Sequence, residues 1–282
     1  MKSTEKKPAY QNNPFFVATD GLELLFKKAL TVAILLIVLS LIGVFGQIPQ
    51  TISDIQTTSN PSHRQDVDAE YRKGFADIKQ AVTSLDAREW VVIGAIVATL
   101  LLGLIVISTV LSGISDYTSA RLAKGKTTTL SEALRAVLER FFSYLWLQIL
   151  IGIKIFLWSL LLIIPGFIMA IRYSLSGPAF FDKKVGAQAA TKYSATITKG
   201  AWLTTFASHS LFGIITFGMI QPLLQPGTSA VLYGQLDNYK RKELAKPPAH
   251  ILSWLTLLIP LVLGILAAVG IAALAYIFTS GN

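Results

Sequence analysis

The side chains best placed to do chemistry are a lysine and a histidine set in apolar surroundings. Lys154 stands mid-way along "LWLQILIGIKIFLWSLLLII", and His209 lies in the apolar run after Trp202. About ten residues from the cytoplasmic end, at about 1.5 Å each, the Lys154 backbone is expected near the bilayer centre. Insertion scales there charge about 2.5 to 3.5 kcal/mol for a lysine. Trp158, one turn further along the same face, is expected to offer its ring to the ammonium. Gln148 and carbonyls freed near Pro165 would add acceptors. Two readings stay open: a snorkelling or neutral lysine, and an anion-attracting lysine that faces a water-filled or headgroup-accessible cavity between two broken membrane segments.

Other chemistry has little to build on. His63, His209 and His250 have no second ligand at helical spacing, and the chain has no cysteine, so neither a metal nor a cofactor is expected. There is no nucleophile elbow, His-Glu-x-x-His pair, phosphate loop or dinucleotide fingerprint, and an enzyme is not expected.

The elements that must position Lys154 and His209 are membrane helices. Of the 282 residues 52% are hydrophobic and only 15% charged, with a mean hydropathy of +0.56, values that an ordinary soluble domain does not reach. The formal charge of +9 comes from 25 Lys and Arg scattered among segments that flank apolar runs. That pattern orients helices in a bilayer and attracts anionic headgroups; it does not form a nucleic-acid surface.

The expected fold is all-α, a polytopic helical membrane protein with proline-broken helices or re-entrant hairpins and amphipathic interfacial helices. Residues 29–48, 90–112 and 251–278 are long and apolar enough to span about 30 Å of hydrocarbon. Two further stretches are interrupted by proline: 143–181 at Pro165 and Gly166, and 201–236 at Pro222 and Pro226. If each interrupted stretch enters and returns, four basic segments share the cytoplasmic side: the N-terminal 1–28, an interfacial helix in 113–142, a helix in 182–200, and 237–250. The extracytoplasmic loop 49–89 then carries five basic against seven acidic residues. The N-terminus is inside, the C-terminus outside, and the first span is an uncleaved anchor.

Local signals fill in this outline. Phe15, Phe16, Leu22, Leu25 and Phe26 are expected in the headgroup region. Thr129 and Glu132 have capping-box spacing at the start of an interfacial helix. Gly186, Ala190 and Ser194 give the 182–200 helix a face of small residues suited to close packing. In the outer loop, Val67, Tyr71, Phe75, Ile78, Val82 and Leu85 recur at nearly heptad spacing. That helix has three uses open to it: self-pairing into a homo-oligomer, contact with another envelope protein, or packing on the membrane or the protein's own outer face. Gly74 weakens it by about 1 kcal/mol.

The run "LWSLLLIIPGFIMAIRYSLS", then Asp182, Gly186, Ala190, Ser194, Lys199-Gly200 and "VLYGQLDNYKRKE", resembles a bacterial multi-pass family. It includes YciC-like proteins and the membrane domain attached to some glycerophosphoryl diester phosphodiesterases. The resemblance covers about residues 143–243. It implies a six-helix-like membrane core with Pro-Gly at a helix end and basic cytoplasmic loops, and it brings no established activity. The chain departs from the family in lacking a soluble phosphodiesterase domain and in adding an apolar helix after "KPPAH", so no phosphodiesterase activity is implied. The functional expectation is a non-enzymatic cytoplasmic-membrane protein that organises or assists envelope components; a transporter or channel for a small, anionic or lipidic substrate is the alternative. The expected surroundings are the lipid bilayer and an envelope partner, without nucleic acid.

Overall fold

The computed structural model describes residues 10–41, 61–216 and 218–280, and among these there is no strand. The helices, in chain order, are α1 (Pro14–Lys28), α2 (Leu30–Leu41), α3 (Pro61–Ser84), α4 (Ala87–Ala123), α5 (Leu130–Glu139), α6 (Phe141–Leu161), α7 (Ile163–Tyr173), α8 (Ser176–Lys183), α9 (Ala187–Ile197), α10 (Trp202–Ile215), α11 (Gln221–Arg241) and α12 (Ile251–Ser280). The chain divides into two units, Val38–Thr109 and the remainder.

Among the described residues three helices are long and apolar enough to cross a membrane: α4, α6 and α12 over Ile251–Ala273; α1 and α2, bent by 119° at Ala29, make a fourth if they act as one span. The protein is therefore all-α and membrane-embedded. From Trp90 through Ser108 every side chain of α4 is exposed, as is every one of α12 from Leu258 to Ala273. Such surfaces are stable only against lipid. The run expected to span at 90–112 is part of a longer helix, whose start is fixed by reciprocal capping. Asp86 accepts from the Glu89 amide at 2.7 Å and Glu89 from the Asp86 amide at 2.9 Å. Residues 42–48 of the first expected span lie outside the described residues.

In the smaller unit α3 presents Tyr71, Phe75, Ile78 and Val82, all exposed, along one face, with Leu85 partly covered just beyond its end. The side chain of Val67 lies outside the described residues.

The larger unit is built around α1. Asn13 caps it, accepting from the Phe15 amide at 3.0 Å, and Pro14 occupies the first turn, where no amide is needed. Val17, Ala18, Gly21 and Leu25 form its buried face. Phe15, Phe16 and Phe26 stay exposed as expected of headgroup-facing rings, but Leu25 is fully buried, because this face packs on α10 and α11. At the crossing with α11 the two backbones touch. A Cβ added to Gly21 would lie 2.4 Å from the Gly227 carbonyl carbon, and one on Gly227 would lie 2.0 Å from the Gly21 oxygen. Around this point Val17, Leu175, Ala179, Ile197, Leu232 and Leu236 form the core.

Both proline-broken stretches fold back on themselves. α6 and α7 pack together, and the break falls at the extended residue Leu162, three residues before Pro165. Pro165 thus sits in the first turn of the returning helix, where a missing amide costs nothing. Gly166 lets that turn press on α6, since a Cβ there would meet the Ser159 Cα at 2.8 Å. The second stretch turns between α10 and α11 at Gly218, whose φ of 80° suits glycine. Pro222 lies in the first turn of α11, and only Pro226 is internal. With 11 and 14 residues, α7 and α10 are about 16 and 21 Å long, short of a bilayer's hydrocarbon.

Because no rotamer change can relieve a side chain that overlaps a backbone, Gly21→Ala is expected to separate α1 from α11 and lower stability by at least about 2 kcal/mol. Gly264→Ala, with nothing within 4 Å of its Cβ, serves as the control. Thermal unfolding in detergent should show a lower midpoint for the first variant alone; equal midpoints would contradict the contact.

Candidate functional site

Between Glu139 and Glu243 the sequence holds only two acids, Asp182 and Asp237, and the fold brings both into one buried cluster. Their side chains are 3% and 5% exposed, so each must be paired. Asp182, near the end of α8, is bridged by Lys124 from the end of α4, accepts from the Tyr233 hydroxyl of α11 at 2.8 Å, and lies 3.4 Å from Lys183. Asp237, on α11, pairs with Lys183 at 2.9 Å and Arg241 at 3.1 Å, and accepts from the Tyr193 hydroxyl of α9. Lys240 lies 3.8 Å over the Tyr193 ring. Burial works to raise the Asp237 carboxyl, but the bonds from Tyr193 and Lys183 and the charges of Lys183 and Arg241 outweigh it and hold the group below the ordinary carboxylate range. The Tyr193 phenol is pushed up to about 12, by burial first and then by its bond to Asp237. Four helices thus meet at two carboxylates.

A second polar chain joins α4, α6 and α8. Tyr144 donates to Asp116 at 2.6 Å and accepts from Gln148 at 2.6 Å. The Asp116 carboxylate presses on Gly177 in the first turn of α8, where any Cβ would collide with it. Gln148 is consumed in this chain and does not reach Lys154.

Lys154 is half-buried and donates to the Thr191 hydroxyl of α9 at 2.7 Å. Its ring partner is Tyr173 of α7, 5.5 Å from the ammonium, and not Trp158, which is 40% exposed. The expectation looked only along one helix; the returning limb supplies the closer ring. Among the described residues no carboxylate pairs with Lys154. His209 uses both ring nitrogens, one at 2.9 Å from the Thr205 carbonyl and the other at 3.0 Å from the Ser229 hydroxyl. It is a tie between α10 and α11. Pro165 and Gly166 shape the hairpin, as described above. Among the described residues Lys154 and His209 share no partner, and they form no common site.

Other cations cap helix ends. Arg140 donates to the Phe180 and Val185 carbonyls around the end of α8. Arg172 donates to Ala195, and Lys246 to Ile197 and Lys199, around the end of α9. Cations there satisfy free carbonyls and oppose the helix dipole.

Among the described residues no group of three or more His, Asp or Glu is placed to hold a metal ion. No family model matches the chain, and neither a curated protein nor a solved structure matches it.

The lone acids Asp182 and Asp237 were the sequence signal for the cluster, standing in strongly basic segments. Asp237→Asn is expected to lower stability by about 1 to 3 kcal/mol, the penalty of leaving buried partners unmatched. A phenol whose folded pKa lies above its unfolded value near 10 gives stability that is full below pH 10 and is lost as pH rises toward 12. In Asp237→Asn that alkaline step should move down toward 10, followed as phenolate absorbance in the difference from a Tyr193→Phe chain. An unmoved step would show that Asp237 does not hold Tyr193.

Proposed function

We propose that the protein is a non-enzymatic, multi-pass component of a bacterial cytoplasmic membrane that organises or assists other parts of the envelope. Its N-terminus is inside and its C-terminus outside, following the placement of Lys and Arg, and it is a relative of the YciC-like family that residues 143–243 resemble. One observation carries the reading. Four ionisable side chains of the larger unit brace helices against one another: Asp182 and Asp237 in the cluster, Asp116 under α8, His209 between α10 and α11. Groups held in such contacts are poor candidates for turnover and good ones for a rigid platform.

The surface for an envelope protein is the exposed stripe of α3, where Tyr71, Phe75, Ile78 and Val82 lie uncovered at nearly heptad spacing. A transporter or channel for a small anionic or lipidic substrate is the second reading, favoured by the unpaired ammonium of Lys154. His209 lends it nothing, since both its ring nitrogens are engaged.

Affinity isolation of the full chain from native membranes, compared with Phe75→Asp/Ile78→Asp, tests the first reading. A stoichiometric envelope protein recovered with the parent and lost with the variant is the expected result. Saturable flux in proteoliposomes, with recovery unchanged by the substitutions, would overturn it in favour of transport.

A further inference from the structure

The depth of the first hairpin follows from its shorter limb. α7 returns from Leu162 with 11 residues, about 16 Å of helix, and ends at Arg172 and Tyr173. It runs directly into α8 and α9, in and beside which Lys184, Lys192 and Lys199 are exposed cations that belong at water. The limb is therefore as long as one leaflet's hydrocarbon, about 15 Å, and half of what a crossing needs. α6 is longer, at 21 residues, and one side of its start is packed inside the protein, with Tyr144 and Leu147 at 0% exposure. The tip is apolar and bare: Leu160, Leu161, Leu162, Ile163 and Ile164 are 67 to 83% exposed.

Lys154 precedes Leu162 by eight residues and Arg172 follows it by ten, about 12 and 15 Å from the tip on opposite limbs. With the tip at the midplane, both cations come to the level where acyl chains meet headgroups. Arg172 is turned back onto the protein, to the Ala195 carbonyl at 2.8 Å and the Met169 sulfur at 3.7 Å. Lys154 has one bond, to Thr191, whose own hydroxyl hydrogen goes to the Gln188 carbonyl at 3.0 Å. Its ammonium has donors to spare and no carboxylate to use them.

We propose that the α6–α7 hairpin is a wedge one leaflet deep, and that Lys154, held from behind by Thr191 and Tyr173, takes the phosphate of an anionic phospholipid of the leaflet it enters. Lys154 then lies at the headgroup boundary, not at the bilayer centre, and its charge is matched by lipid. Exposed Leu157 and Leu161, one and two turns along the same helix face, give the acyl chains an apolar track. The inference is independent of any partner on α3.

The test uses the full chain in phosphatidylcholine vesicles with a minor fraction of phosphatidylglycerol, with brominated acyl chains on one lipid or the other. Trp158, one turn from Lys154, reports quenching in a chain whose Trp90, Trp146, Trp202 and Trp254 are phenylalanine. Brominated phosphatidylglycerol should be enriched at Trp158 by about fivefold, the preference expected of one lysine at an anionic headgroup. Lys154→Gln should abolish the preference and Lys154→Arg keep it. Equal quenching by both lipids, or a preference that survives Lys154→Gln, overturns the proposal. Loss of the preference on adding millimolar inorganic phosphate would assign the site to a free anion and overturn it as well. If the single-tryptophan chain does not fold, native mass spectrometry of the parent and Lys154→Gln reads the same difference as retained phosphatidylglycerol, and equal retention is the contrary result.

Discussion

Lipid cannot hydrogen-bond a backbone or hydrate a charge, and that constraint acts on this chain through the length of α7. Eleven residues after the break at Leu162 the sequence turns polar, and within twenty-five it has delivered Asp182, Lys183 and Lys184. The two lysines belong at water, so in the proposed one-leaflet wedge the hairpin goes no deeper than α7 can return. In that proposal the depth of Lys154 and the side on which α8 and α9 lie follow from that one limb.

The polar part left at the water side is held by contacts that leave little slack. α1 and α11 cross at Gly21 and Gly227 with no room for a methyl group. Asp182 and Asp237 tie α4, α8, α9 and α11 through five cationic or phenolic partners. Buried ion pairs contribute little net stability against an apolar alternative, but breaking one leaves its partner stranded. Arg140, Arg172 and Lys246 act in the same way at helix ends, where free carbonyls would otherwise face the protein interior. These three cations thus satisfy the chain's own backbone.

Hydropathy and proline placement were enough to read the all-α class, the apolar runs inside α4 and α12 and the two interrupted stretches from the sequence; the expected first span at 29–48 is only partly among the described residues, and α6, expected as half of a hairpin, is itself long and apolar enough to cross. The capping box at Thr129 and Glu132 was legible for the same local reason, and both of its bonds are present. What escaped was whatever depends on a second helix. Trp158 was assigned to Lys154 because it shares a helix face, whereas Tyr173 reaches the ammonium across the hairpin. Pro165 marks the break only approximately, since a proline sits comfortably in the first turn of the helix that follows. Gly21 carries no signal at all until α11 is laid against it. The cluster at Asp182 and Asp237 was half visible: both residues belong to the motifs that carry the family resemblance, yet 55 residues separate them and nothing local says that they meet.

Depth at the hairpin tip decides the account most directly. The chain has no cysteine, so Ile163→Cys, at the most exposed position of the tip, accepts a single nitroxide label without background. Collision with oxygen, which concentrates at the bilayer midplane, against collision with a water-soluble nickel chelate then gives its depth in vesicles. A one-leaflet wedge predicts high oxygen and minimal nickel accessibility, placing the label near the midplane. A label at the far interface, open to nickel added on the outer side, would mean that α6 crosses, and the depth assigned to Lys154 would be wrong.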